Sequence, residues 1–358
     1  MPGRKVLILQ NIIPHYRVPV FNLIGKELGI NLTIAYDKGL EKGNCNLMAA
    51  QRNFSVIAYE KRTLFTSFFR ITDLNKLING YDVVIFSGDL HFIAPIVALL
   101  TRRRRPKVYL WGIGLSSAKG LREKPLGDRI RYLLNDLSDG TILYSSYVAD
   151  IYRKRVFKPG KVFVAHNSIL VRKFPLSQEK KTKILSIGTF KKNKRLPDLV
   201  IVFAKIIDRI PEDITLDFIG DGEDANLLRQ LADQKKISGR VNFWGRMEDD
   251  EEIYAIMKNA IVSVSPTQAG LSVLHAMAMG CPFLTSVDAI TGGERFNIKD
   301  NETGYYYNGQ ISDLEQKLIK IVNDQEDNRR VAYNAYTLYH EERNVEQMAK
   351  SFVDIIMQ

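Results

Sequence analysis

Cysteine is almost absent from this chain of 358 residues: Cys45 and Cys281 are the only two, and they lie far apart. That excludes a disulfide framework and a cysteine-held metal cluster, and it suits a reducing compartment. The five histidines, His15, His91, His166, His275 and His340, show no metal-ligand spacing. No metal and no cofactor are therefore expected. Long apolar runs are missing too. The most apolar window, Phe92 to Leu100, is far shorter than the roughly 20 residues that span a bilayer. Met1-Pro-Gly-Arg-Lys5 runs straight into the strand-like Val6–Leu9, without a signal-peptide pattern. The expectation is a cytoplasmic protein that can lie on the inner face of the cytoplasmic membrane and does not cross it. Acidic residues are in deficit, 40 against 51 Lys and Arg, for a net charge of +11. Such a balance favours an anionic partner: nucleic acid, anionic lipid or a phosphorylated substrate. The longest basic run is short and no DNA- or RNA-binding module is recognisable, so nucleic acid is the weakest of the three.

What is present is a regular alternation. Short β-branched runs at Val6–Leu9, Leu32–Ala35, Asp82–Phe86, Lys107–Trp111 and Thr141–Tyr144 are separated by helical sequence, including Arg17–Leu28 and a helix near Ile71–Asn79. The rhythm restarts with strands at Lys183–Ile187, Leu216–Ile219, Val241–Trp244, Ile261–Val264 and Pro282–Thr285, each followed or preceded by a helix. Runs apolar on both faces, separated by helices, indicate parallel sheets covered on both sides. At roughly 150 residues per domain, two doubly wound α/β domains are expected. Residues 1–172 form the first and 173–340 the second, with a helix over 341–358 that returns to the first. The polar stretch Val171–Lys183 reads as the linker, and the tail after Gly304 as helical.

Ligands of open α/β sheets bind beyond the carboxyl ends of the strands. In the second half those ends carry Gly188-Thr-Phe-Lys-Lys-Asn-Lys194, Gly220-Asp-Gly-Glu223, Gly245-Arg-Met247 and Ser265-Pro-Thr-Gln-Ala-Gly270. The helix opening at Gly270-Leu271-Ser272 offers unpaired amides and a positive dipole end, and Gly270 has no side chain to keep a phosphate away. Lys194, with Lys192 or Arg195 beside it, brings a full positive charge to the same side; the alternative is that these cations simply solvate a loop.

The ordered series Gly188, Lys194, Gly220-Asp221-Gly222, Gly245, Pro266-Thr267, Gly270-Leu271, Ala276-Met-Ala-Met-Gly280-Cys-Pro282 and Thr303-Gly304 covers about 120 residues. It resembles the retaining glycosyltransferases of the GT-B architecture, family 4 (glycosyl transferases group 1). The resemblance implies two Rossmann-like domains that face each other across a cleft and close over a nucleotide-diphosphate sugar. The donor would be a UDP- or GDP-sugar, and the acceptor a glycan or a lipid-linked sugar in surface polysaccharide or glycoconjugate biosynthesis. It implies donor contacts at Gly188, Thr189, Lys194, Gly222, Arg246, Met247, Thr267, Gly270, Leu271, Ser272, His275 and Glu294. Lys194, Glu294 and His91 take the catalytic places, with His91 as the first-domain histidine near the reacting sugar. His15, Tyr16, Arg17 and Trp111 fall on the acceptor side.

One departure stands out. The family usually carries two glutamates eight positions apart; Thr267 and His275 stand there in this chain. His275 either donates to the ribose or diphosphate or is a satisfied core histidine. Glu294, in Gly292-Gly-Glu294, either accepts from sugar hydroxyls or is a surface loop acid. His15 and Arg17 either touch substrate or are a helix cap and a surface arginine, and Trp111 is either an acceptor floor or core. Arg102, Arg103, Arg104 and Arg105, with Lys61, Arg62, Phe65, Phe68, Phe69, Arg70 and Arg122, form either a face for an anionic membrane or a solvated helix end. A non-catalytic partner or glycan-binding subunit, built on the same scaffold without the glutamates, is the second reading. A sugar-nucleotide epimerase would want carboxylates that are not clearly placed.

Overall fold

In a computed structural model the described residues are 3–43, 52–65, 68–91, 93–101, 106–115 and 125–358. The chain divides into two units. Among the described residues, one comprises those up to Leu170 together with Asn344–Gln358, and the other Val171–Arg343.

In the first unit, β1 (Arg4–Leu9), α1 (Val18–Lys26), β2 (Ile30–Asp37) and β3 (Ser55–Tyr59) are followed by a small hairpin, β4 (Lys61–Phe65) and β5 (Phe68–Ile71). Then come α2 (Leu74–Ile78), β6 (Val83–Ser87), α3 (Ala94–Thr101), β7 (Lys107–Gly112), α4 (Pro125–Leu137), β8 (Gly140–Leu143), α5 (Ser146–Arg153) and β9 (Val162–Val164). The main sheet is parallel throughout, in the order β3-β2-β1-β6-β7-β8-β9. Its central strands are apolar on alternate sides because both faces are covered. Val6, Ile8, Ile85 and Tyr109 face one core, and Leu7, Val84, Val108 and Leu110 the other.

The second unit runs β10 (Lys183–Ile187), α6 (Leu196–Ile206), β11 (Thr215–Ile219), α7 (Ala225–Gln234), β12 (Val241–Gly245), α8 (Asp250–Met257), β13 (Ala260–Val264), β14 (Gln268–Ala269) and α9 (Leu271–Ala278). It continues with β15 (Phe283–Ser286), β16 (Ile290–Thr291), β17 (Tyr305–Tyr307), α10 (Ile311–Asn323) and α11 (Gln325–Leu338). Six parallel strands stand in the order β12-β11-β10-β13-β15-β17. Helix α12 (Val345–Met357), capped by the Asn344 side chain, packs Met348, Phe352 and Ile356 into the core of the first unit, against α1.

Two expectations are corrected. The segment after Gly304 is not wholly helical: Tyr305–Tyr307 adds a sixth strand beside β15. The helix near Ile71 starts only at Leu74, because Phe68–Ile71 pairs with Lys61–Phe65. The stretch read as the linker begins where the two units divide, after Leu170, and it packs on the second unit. Val171 is buried, Phe174 stacks on Tyr254 at 4.3 Å, and the Lys181 ammonium donates to the Lys258 carbonyl at 2.8 Å.

Candidate active site

The site of the second unit is built by backbone contacts between the loops that follow β10, β11 and β13. The Gly188 amide donates to Ile219, the Phe190 amide to Asp221, and the Lys192 amide to the Glu223 carboxylate at 3.1 Å. This register brings the two loops so close that only glycine fits. A Cβ on Gly220 would stand 2.1 Å from the Gly188 carbonyl oxygen, and one on Gly222 2.3 Å from that of Phe190. Both glycines also hold positive φ, which L side chains rarely adopt. The Gly-Asp-Gly turn is thus the buttress of the lysine loop. On the other side the Thr267 hydroxyl donates to the Asn193 carbonyl at 2.7 Å, tying the loop after β13 to the residue before Lys194.

These ties set Lys194 at the end of a single turn, Lys192–Lys194, with only 9% of its surface exposed. No carboxylate and no hydrogen-bond acceptor pairs with its ammonium among the described residues. Burial, with Lys191 nearby, pushes its pKa down to about 8. Beside it opens a pocket of about 230 Å³ lined by Gly188, Thr189, Lys191, Lys194, Gln268, Gly270, Leu271 and Ser272, with Ile187 at its base. The first amides of α9 therefore belong to the same pocket as Lys194. Gly270 caps that helix with no side-chain hydrogen bond, and a Cβ there would meet nothing within 4 Å. Packing does not demand glycine at 270; an approaching ligand would. No pocket-lining side chain is a carboxylate. What the pocket offers is positive charge and amide donors, the chemistry of an anion site.

The remaining positions sort differently. Gln268, which sequence reasoning passed over, lines the pocket because the two-residue strand β14 pairs with β16; nothing in so short a strand announces itself in sequence. That pairing lays the Thr291–Glu294 turn along the loop that enters α9. Glu294 is not a surface acid: it is 3% exposed, and its carboxylate accepts from the Gly292 amide at 2.9 Å and from the Thr291 hydroxyl at 3.3 Å. His275 lies in the last turn of α9 and reaches Asp250 of α8, Nε2 to Oδ1 3.3 Å, at an angle too poor for a hydrogen bond. Burial pushes the Asp250 carboxyl up, but His275 and the Arg172 amide outweigh it and hold the pKa below the ordinary value. Arg246 is exposed and paired with Glu248 at 2.5 Å, and Met247 is half-buried beside it.

In the first unit His15 is exposed and stands edge-on to Tyr16, while Arg17 is no surface arginine, at 4% exposure. Its guanidinium lies 5.0 Å from the Trp111 ring, 5.2 Å from Tyr16 and 5.3 Å from Tyr144, and donates weakly to the Met348 sulfur. Trp111 is 2% exposed and meets Phe352 edge-on at 4.9 Å, so its ring is core rather than an open floor. His91 is exposed, with its amide on the Asp89 carboxylate. Arg102, Arg103, Arg104, Arg105, Arg122 and Cys45 lie outside the described residues, as do the side chains of Phe65, Phe68 and Phe69. Among the described residues no helix is long and apolar enough to cross a membrane.

Comparison with known proteins agrees with this geometry. Residues 169–338 match the model of the family described as glycosyl transferases group 1. The N-acetyl-alpha-D-glucosaminyl L-malate synthase of Bacillus anthracis is 28% identical over 192 residues, 52% of this chain and 49% of that protein. The lipopolysaccharide core biosynthesis glycosyltransferase LpsE of Rhizobium meliloti is 30% identical over 121 residues, 34% of this chain and 33% of that protein. The matched stretches thus span half the length of these relatives or less. Among solved structures, Anabaena HepE in complex with UDP superposes over 99% of both chains with a TM-score of 0.71 at 13% identity. The sucrose-phosphate synthase of Thermosynechococcus elongatus covers 99% of this chain and 98% of its own, with a TM-score of 0.70 at 17% identity. The chain has the GT-B fold, and the stretch that matches the glycosyl transferases group 1 model lies in its second half.

Proposed function

We propose that the protein is a glycosyltransferase of the EC 2.4 type. It moves a sugar from a nucleotide-diphosphate donor, a UDP- or GDP-sugar, to a glycan or lipid-linked acceptor in glycoconjugate or surface polysaccharide biosynthesis. The observation that carries this reading is the buried, unpaired Lys194 ammonium in one pocket with the first amides of α9. A buried charge without a partner is costly, and a diphosphate supplies the missing partner. Charge grows on the leaving diphosphate as the glycosidic bond breaks. Donors already in place stabilise it without reorganisation.

In this reading Gly188 and Thr189 contact the diphosphate from the β10 side, and Gly270, Leu271 and Ser272 from the other. Gly222 acts through the lysine loop, and Arg246 and Met247 line the base. His275 and Glu294 serve the ribose and sugar, His91 stands near the reacting sugar, and His15, Tyr16 and Arg17 serve the acceptor side. Retention of anomeric configuration belongs to the family resemblance, and no carboxylate of the pocket competes as nucleophile. The chemistry asks for no cofactor.

The test is a thermal-shift screen of the full chain against UDP, GDP and their sugars, followed by a transfer assay with the donor that binds. A donor at 100 times its dissociation constant stabilises by about 2.7 kcal/mol. No shift with any nucleotide diphosphate overturns the donor assignment. Tight UDP or GDP binding without hydrolysis or transfer turns the reading to the second one, a non-catalytic partner, which the Thr267 and His275 replacements favour.

A further inference from the structure

Helix α4 is built inside out. Its carboxylates and amide point inward: Asp128 is 2% exposed, Asn135 fully buried and Asp136 8% exposed. Its outer face carries Leu126, Ile130, Leu133 and Leu137, exposed at 76%, 39%, 54% and 52%. Spacings of four, three and four place these side chains on one stripe, about 16 Å long at about 1.5 Å per residue. The one charged residue exposed on this helix is Arg129.

The stripe does not end at Leu137. The buried Asp136 carboxylate accepts from the Phe157 amide at 3.0 Å and the Lys158 amide at 2.8 Å, which fastens the turn after α5 to the end of α4. Phe157, at the crest of that turn, is 91% exposed. Around it the sequence supplies Arg153, Lys154, Arg155, Lys158 and Lys161, and from Ser146 to Lys161 the one carboxylate is Asp150. An apolar stripe with an exposed aromatic at one end and a cationic collar is the make-up of a helix that lies in a lipid interface, where apolar area and attraction to anionic headgroups act together. A second copy of the chain would bring the same cations to the contact, against their mutual repulsion.

We propose that α4 and the Phe157 turn form the surface by which this protein seats on an anionic lipid bilayer. The surface belongs to the first unit and shares no residue with the Lys194 pocket, so it holds or fails independently of the donor assignment. The full chain is sedimented with sucrose-loaded vesicles of phosphatidylcholine, with and without 30 mol% phosphatidylglycerol. Binding is expected to the anionic vesicles, weaker by at least tenfold to neutral ones and in 1 M salt. Leu133→Ser and Phe157→Ser, each at an exposed position, should lower binding at least fivefold. The UDP thermal shift and the melting temperature should stay as in wild type. The proposal is overturned if wild type stays in the supernatant with anionic vesicles, or if both variants bind as wild type does. It is overturned equally if the protein is a dimer that Leu133→Ser converts to a monomer without loss of vesicle binding, which would show that a second copy covers the stripe.

Discussion

Replacing Lys194 by methionine should make the protein more stable and at the same time blind to its donor. Methionine fills much of the lysine stem's volume without the charge. In the unfolded chain the ammonium keeps its proton to about pH 10.4; in the folded protein it gives it up at about 8. Below pH 8 both states are protonated, and the folded one bears the full cost of a buried, unpaired cation. A pKa drop of that size corresponds to about 3 kcal/mol, as an upper bound. Between pH 8 and about 10.4 the unfolded state binds more protons, so wild-type stability rises with pH from this group. Lys194→Met removes the cost. At pH 7 it should gain up to about 3 kcal/mol, or roughly 6–12 °C in melting temperature for a unit of this size. The gain should shrink above pH 8 and vanish near pH 10.4. The UDP- or GDP-dependent shift should disappear in the same variant. In wild type, donor binding should take up a proton above pH 8, with affinity falling as much as tenfold per pH unit there. Differential scanning calorimetry with and without nucleotide, from pH 6.5 to 10, reads all of this. A variant that melts lower than wild type while keeping the full nucleotide shift would refute both the cost and the role.

Gly270→Ala should leave the melting temperature nearly unchanged, since its methyl meets nothing within 4 Å, yet weaken UDP binding by about tenfold in titration calorimetry as the methyl intrudes on the phosphate. Gly222→Ala should do the reverse in order of cause: a Cβ 2.3 Å from the Phe190 carbonyl oxygen, at positive φ, costs on the order of 2–4 kcal/mol in urea unfolding, and donor binding falls because the lysine loop shifts. His275→Glu should destabilise by about 1 kcal/mol by facing the Asp250 carboxylate, and adding Asp250→Asn should recover that loss in a double-mutant cycle. Because the Asp250 pKa is held low, its contribution is present above about pH 4 and is lost on acidification through the folded-state value. Phe352→Ala should cost about 3–5 kcal/mol by leaving a cavity beside Trp111.

The parts of the fold legible in the sequence are those in which one stretch of chain states its own environment. The core strands Val83–Ser87 and Ala260–Val264 are buried on both faces and read as apolar runs. Ser55–Tyr59 reads as an apolar run too, yet it lies at the sheet edge with its first four residues exposed or half-buried, so an apolar run alone does not tell an edge strand from a buried one. Tyr305–Tyr307 is too short to show a period, and its place is set by β15. The pocket shows the same division. Lys194 and Gly270 were legible from their spacing and from loop chemistry. The support of Gly222 on Phe190, the Thr267 bond to Asn193 and the burial of Glu294 and Arg17 depend on contacts between distant segments, which a single sequence does not spell out.

The position of α12 in the first unit has a consequence for biosynthesis. Phe352 and Ile356 fill a core whose other walls come from residues before 170, so a ribosome must deliver the whole second unit before the first can close. The earlier-made half then waits with apolar surface uncovered while the later-made half folds. That reverses the usual order, in which domains mature from the N-terminus onward. Cutting the chain between the two units would yield a C-terminal piece with its own core and an N-terminal piece that lacks one wall.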